Sequence, residues 1–205
     1  MAVGSVKRPF KGDKHCGDQF GHWQKGHLAI LCIADGLGHG KHAEKAAKAA
    51  MTYVAAHRFK SLSEIFSGCN RAIRDTRGVA MGIAVIDKKA RTLTYAGIGN
   101  TRIAILSSAD SKESARKTQY LKNDFGIVGG GYKRLRSETV KFMPGDMVIM
   151  YTDGVKELID LSGYDEGLRA DAGKLAGRII EDWGSDNDDA AVLIYRFNYK
   201  GVLLW

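Results

Sequence analysis

Four aspartates, each placed where a strongly apolar, strand-like run begins or ends, constrain this chain more than any other feature. They are Asp18, Asp35, Asp153 and Asp188. The run Leu28 to Asp35, LAILCIAD, leads straight into the glycine-dense turn Gly36-Leu37-Gly38-His39-Gly40, and Met147 to Gly154, MVIMYTDG, repeats the arrangement of strand followed by Asp-Gly. Asp188 enters an apolar run from the opposite direction, and Asp18 opens the run paired with the one that carries Asp35. Strand ends bring distant segments to one edge of a sheet, so four carboxylates are expected to meet there. Buried carboxylates repel one another and lose hydration, and such a cluster is tolerated mainly when divalent cations bind within it. Oxygen-only ligands point in turn to phosphate chemistry, with two ions clamping a phosphoryl oxygen and acidifying a water.

The periodicity along the chain supplies the scaffold. Asp18 to Trp23 and His27 to Ala34 read as a hairpin about Lys25-Gly26, followed by a helix from His42 to His57 with Ala43, Ala46, Ala47, Ala50 and Val54 at helical spacing. A second helix is predicted from Leu62 to Asp75. Val79 to Asp87, Thr92 to Ile98 and Thr101 to Leu106 form a meander. Ser107 to Lys117 reads as a surface loop, and Phe125 to Gly131 as a turn-rich passage. Strands follow at Ser137 to Phe142 and Met147 to Thr152, then a mostly helical stretch from Val155 to Trp183, then a last strand at Ala190 to Phe197. Helices come in blocks instead of alternating with strands, which argues for an α+β fold with two antiparallel sheets packed face to face and helices outside. At 205 residues, one domain spanning 1–205 is expected.

Charge and cysteine content narrow the function. The formal net charge of +8 is spread along the chain without an aromatic-basic module, which favours acidic or phosphorylated protein partners over nucleic acid. No apolar run reaches bilayer-spanning length and the N-terminus has no signal-peptide core, so a cytoplasmic protein without a membrane partner is expected. Cys16, Cys32 and Cys69 are odd in number with no CxxC spacing, which speaks for reduced packing residues. The turn Gly36 to Gly40 has neither GxGxxG nor P-loop spacing, and neither HExxH nor GxSxG occurs.

Taken in order, Gly17-Asp18-Gln19-Phe20, Ala34-Asp35-Gly36-Leu37-Gly38-His39-Gly40, Ala96-Gly97-Ile98-Gly99-Asn100, Gly126-Ile127-Val128-Gly129, Pro144-Gly145-Asp146 with Tyr151-Thr152-Asp153-Gly154-Val155, and Asp188-Asp189-Ala190-Ala191-Val192 form a series that runs through nearly the whole chain. The series resembles the type 2C (PPM) metal-dependent protein serine/threonine phosphatases, in their bacterial SpoIIE-like branch. The resemblance implies a four-layer αββα sandwich, two Mn2+ or Mg2+ ions, and hydrolysis of phosphoserine or phosphothreonine by a metal-activated water. It casts Asp35 as the ligand bridging both ions, Gly36 as a carbonyl ligand, Asp153 and Asp188 as ligands of one ion, and Asp18 as a holder of the second. Asp186, Asp188 and Asp189 offer three carboxylates in four positions, and Asp188 is chosen because Val192-Leu193-Ile194 then falls where the family's final strand does.

Two departures matter. The position two after the bridging aspartate, a histidine in eukaryotic-type members, is Leu37 here, and the histidine stands at His39, read as a structural residue at the start of the helix. The family's phosphate-binding arginine has no firm counterpart, Arg8 being a stand-in only. Without sensor, coiled-coil or transmembrane region, the chain is similar to RsbX-like phosphatases, which act on STAS-domain stressosome components. The alternative from another class is a catalytically silent phosphatase-like module that binds phosphoproteins, and retention of all four aspartates argues against it.

Overall fold

A computed structural model describes residues 2–108 and 118–198. In chain order the elements are β1 (Val3–Arg8), β2 (Asp18–Lys25), β3 (Leu28–Gly36), α1 (Gly40–His57), α2 (Leu62–Ala72), β4 (Val79–Asp87), β5 (Thr92–Ile98), β6 (Arg102–Leu106), β7 (Thr118–Tyr120), β8 (Gly126–Ile127), β9 (Gly131–Tyr132), β10 (Ser137–Lys141), β11 (Met147–Tyr151), α3 (Glu166–Ala170), α4 (Ala172–Trp183) and β12 (Ala190–Arg196). One five-stranded sheet has the order β1-β12-β11-β6-β7 and the other β10-β5-β4-β3-β2, with antiparallel pairing throughout.

The apolar pattern of the strands explains the layering. β3 reads almost continuously apolar because both its faces are covered. Leu31 and Ile33 pack between the sheets with Tyr95, Val148, Met150 and Leu193. Ile30, Cys32 and Ala34 point the other way and meet Ala46, Ala50 and Val54 of α1 and Ile65 and Phe66 of α2. On the far side, Leu175, Ala176 and Ile179 of α4 cover Ile149, Val192 and Ile194. The result is the four-layer αββα sandwich expected from the sequence.

Close approach between layers is secured by small residues. A Cβ on Gly36 would lie 2.2 Å from the carbonyl oxygen of Ala43, so only glycine lets the end of β3 meet the first turn of α1. Gly4 plays the same part where β1 meets the start of α4, with 2.1 Å between a Cβ there and the Ala172 carbonyl. α2 begins at a capping box in which Ser61 and Glu64 satisfy each other's backbone N–H. It stops at Ala72, short of the expected Asp75, with Ile73 donating its N–H to Cys69 O as the cap.

One further expectation is corrected, and two segments take on structure that the sequence reading did not assign. The stretch from Val155 to Trp183 is helical only over α3 and α4. Residues 155–165 form turns fixed by Tyr151 Oη donating to Glu157 O (2.6 Å) and by Asp160 accepting from Ser162 N (2.8 Å). Asp165 and Asp171 then cap the two short helices. The N-terminal segment is a strand, β1, whose small and apolar residues end in Lys7 and Arg8 and which forms a sheet edge paired to β12 from Val3↔Tyr195 to Arg8↔Ala190. Within the turn-rich passage, β8 and β9 make a two-residue ladder. The expected loop from Ser107 to Lys117 falls mostly outside the described residues. Among the described residues no helix is long and apolar enough to cross a membrane.

Candidate active site

The β2–β3 hairpin sets Asp18 directly opposite Asp35 in the register. In the other sheet, β11 and β12 run antiparallel with Tyr151 opposite Val192, so the residues just beyond, Asp153 after β11 and Asp188 before β12, emerge at the same end. Both sheets finish at one rim. There Asp35, Asp153 and Asp188 line a cleft of about 500 Å3 together with Leu37, Asn100 and Phe125. Asp18 lies behind it, 1% exposed. Gly36 closes β3 at this rim. The structure therefore brings together all five positions singled out as ligands.

The electrostatics are those of a site short of positive charge. Burial first, and then the charges of Asp18, Asp153 and Asp188, push the Asp35 carboxyl up to about 9. Asp18 is pushed up to about 8, chiefly by burial and further by Asp189 and Asp153, against the stabilising hydrogen bond from Thr152. Asp188 is raised as well, by burial and then by Asp153. The carboxyl groups of Asp35 and Asp153 come within hydrogen-bonding reach of each other, an arrangement two ionised groups avoid.

The donor set fits hard divalent cations. One oxygen of Asp18, Oδ1, is buried with no hydrogen-bond partner, and such an orphaned acceptor demands a cation or a donor. The surrounding donors are carboxylates, with the carbonyl of Gly36 at the same rim, the ligand chemistry of Mg2+, Mn2+ or Ca2+ and not of zinc. Among the described residues no three of the His, Cys, Asp and Glu side chains already stand in chelating geometry. The carboxylates are turned onto one another and onto neighbouring donors instead.

Several residues that hold the carboxylates were not given that role in the sequence reading, Asp189 having been weighed only as an alternative ligand to Asp188. Thr152, fully buried, donates its hydroxyl to Asp18 Oδ2 (2.6 Å) and accepts from Ala191 N (2.8 Å), so it ties the second sheet to the first. Asn100 Nδ2 donates to Asp153 Oδ2 (2.5 Å). Asp189 accepts from Phe10 N at one oxygen (2.8 Å) and from Gly17 N at the other (2.9 Å), fastening the segment before Asp18 to the start of β12. That commitment separates it from Asp188, which lines the cleft, and from Asp186, which makes an outer ion pair with Arg8 (3.6 Å). Thr152, Asn100 and Asp189 all sit inside the quoted motifs, and that membership was the only signal available.

His39 is the N-cap residue of α1 without a side-chain capping bond; its ring stacks on Phe10 with centroids 5.2 Å apart and stands 4.0 Å from Asp13. It stands at the start of the helix, where the sequence placed it. Arg8 is held by the Ser185 carbonyl (2.8 Å) as well as by Asp186.

Comparison with known proteins agrees with this geometry. The family described as Stage II sporulation protein E (SpoIIE) matches residues 25–198, a stretch that includes Asp35, Asp153 and Asp188. Phosphoserine phosphatase RsbX of Bacillus subtilis (strain 168) is 27% identical over 145 residues, covering 71% of this chain and 70% of its own. A chain solved in work on the bacterial stressosome as a modular system adapted to control secondary messenger signalling superposes with a TM-score of 0.83 at 28% identity, covering 95% of this chain and 98% of that one. Crystalline RsbX in complex with magnesium gives a TM-score of 0.77 at 23% identity, covering 94% and 92%, a likeness of fold.

Proposed function

This chain belongs to the Stage II sporulation protein E (SpoIIE) family and is a PPM-type protein serine/threonine phosphatase, and on that premise we propose that it works with two Mn2+ or Mg2+ ions on phosphorylated STAS-domain stressosome components. The observation that carries the metal-dependent reading is the meeting of Asp35, Asp153 and Asp188 in one cleft, with an unpartnered buried oxygen of Asp18 behind them. Asp35 would hold both ions, Gly36 would add its carbonyl, Asp153 and Asp188 would complete one ion and Asp18 the other. Bound there, the ions supply a water of lowered pKa and positive charge for the phosphoryl oxygens.

The remaining work falls to the chain itself. Thr152 fixes the orientation of Asp18, and Asn100 that of Asp153, so neither carboxylate has to be ordered when substrate arrives. Asp189 keeps Gly17 and therefore Asp18 in place. Leu37 lines the cleft, so the place of the eukaryotic-type histidine is apolar, and the proton for the leaving oxygen would come from water or from another acid than residue 37. The assignment of substrate rests on the RsbX relative and on the stressosome chain of the same fold.

Phosphate release should be followed with Mn2+ or Mg2+ on two substrates, phosphorylated STAS-domain proteins and p-nitrophenyl phosphate. Release from both supports the proposal; turnover of p-nitrophenyl phosphate alone removes the stressosome assignment. Asp35→Asn should fold normally and lose turnover by at least about a hundredfold, the scale of losing a group that stabilises developing charge. Near-native turnover in that variant would contradict the role given to Asp35.

A further inference from the structure

Three apolar side chains, Leu37, Phe125 and Ile127, line the same cleft as the carboxylates. Phe125 is 97% exposed, whereas the next most exposed large apolar side chain among the described residues, Leu158, is at 66%. Isolated exposed apolar residues are ordinary on protein surfaces, but this ring belongs to the wall of the reactive cleft.

The backbone on either side of Phe125 is fixed. Asp124 donates its N–H to Gly97 O (2.9 Å) and accepts from Gly99 N (3.0 Å). Its carboxylate takes the N–H (2.6 Å), Nε (2.9 Å) and Nη2 (2.7 Å) of Arg136. Beyond the ring, Val128 and Val79 exchange two backbone hydrogen bonds of 2.9 Å, and Gly129 N donates to Asn70 Oδ1 (2.7 Å). Gly126 between them has φ +136, and a Cβ there would meet Tyr132 Cβ at 2.5 Å, so the chain path that presents Phe125 is one only glycine supports. An apolar ring held out by an anchored backbone is pre-organised for contact, and its ordering cost is already met before a partner arrives.

We infer that Phe125, on a cleft wall shared with Leu37 and Ile127, selects phosphoprotein segments in which the phosphorylated residue has apolar neighbours in sequence. The inference rests on the phosphatase reading: the occupant is the segment carrying the phosphoserine or phosphothreonine, because a phosphate brought to Asp35, Asp153 and Asp188 draws its flanking residues across the same cleft wall. The acidic part takes the phosphate through its ions, and the apolar part reads the flank.

Two phosphoserine peptides that differ only in carrying leucine or glycine on both sides of the phosphoserine test this with the intact protein and Mn2+. The wild-type protein should favour the leucine peptide by about tenfold in kcat/KM, about 1.4 kcal/mol, with the difference carried by KM. Phe125→Ala should abolish the preference and Phe125→Leu should restore most of it, both with an unchanged unfolding temperature. A preference that survives in Phe125→Ala, one absent from the wild type, or a clear fall in the unfolding temperature of Phe125→Ala overturns the inference. Turnover of p-nitrophenyl phosphate with neither peptide hydrolysed also overturns the inference, and failure on all three substrates would instead sink the phosphatase reading beneath it.

Discussion

At the scale of single residues, Asp18 and Asp35 make the metal-free protein sensitive to pH in an unusual direction. Their folded-state pKa values, about 8 and about 9, lie above the ordinary 3.8. Stability linked to such groups is fully present below the unfolded value and is lost as pH rises through the folded one. The metal-free protein should therefore lose thermal stability progressively between about pH 4 and about pH 9, Asp35→Asn should flatten that decline, and Mg2+ should stabilise most at the alkaline end. A calorimetric series with chelator and with Mg2+ checks all three. Asp189→Ala leaves the buried-side donors Phe10 N and Gly17 N without their acceptor. The expected cost is about 1–3 kcal/mol per stranded group, which lowers the unfolding temperature by about 5 °C or more. The aspartates that meet at the rim were legible because each ends or opens an apolar run. Thr152, Asn100 and Asp189 were not, since their partners lie 134, 53 and 172 to 179 residues away and no local pattern encodes such pairings.

At the scale of elements, the contact between the end of β3 and the first turn of α1 is a tight constraint beside the site. Gly36→Ala would force its methyl against the Ala43 carbonyl, moving α1 or bending β3. The variant should be destabilised by about 1–3 kcal/mol in denaturant unfolding, and its turnover should fall further than its stability because Asp35 moves with β3. The central strands could be read directly: Val79–Asp87 and Thr92–Ile98 have the bounds their apolar content predicts. β1 could not, because an edge strand of mixed basic and small residues has no apolar face strong enough to announce itself. The segment 155–165 misled for the converse reason. Its apolar residues Ile159 and Leu161 are buried in turns, where burial follows no helical period.

At the scale of the whole molecule, a chain of net charge +8 carries an acidic cleft. Attraction of an acidic phosphoprotein by that charge is screened within about 8 Å at physiological salt. Its kcat/KM should fall as salt is raised from low to high, while kcat/KM for p-nitrophenyl phosphate changes much less, an effect read from initial rates across a salt series. The cleft also straddles the sandwich: Asp18 and Asp35 come from one sheet, Asp153 and Asp188 from the ends of the other, and Thr152 is the stitch between them. Whatever fills that seam fastens two halves together, so lesions far from it should be felt there. Leu193→Ala, hidden in the interior between the sheets, should raise the cation concentration needed for half-maximal turnover while the circular dichroism spectrum stays native, the loosened filling of the sandwich being reported first at its clasp.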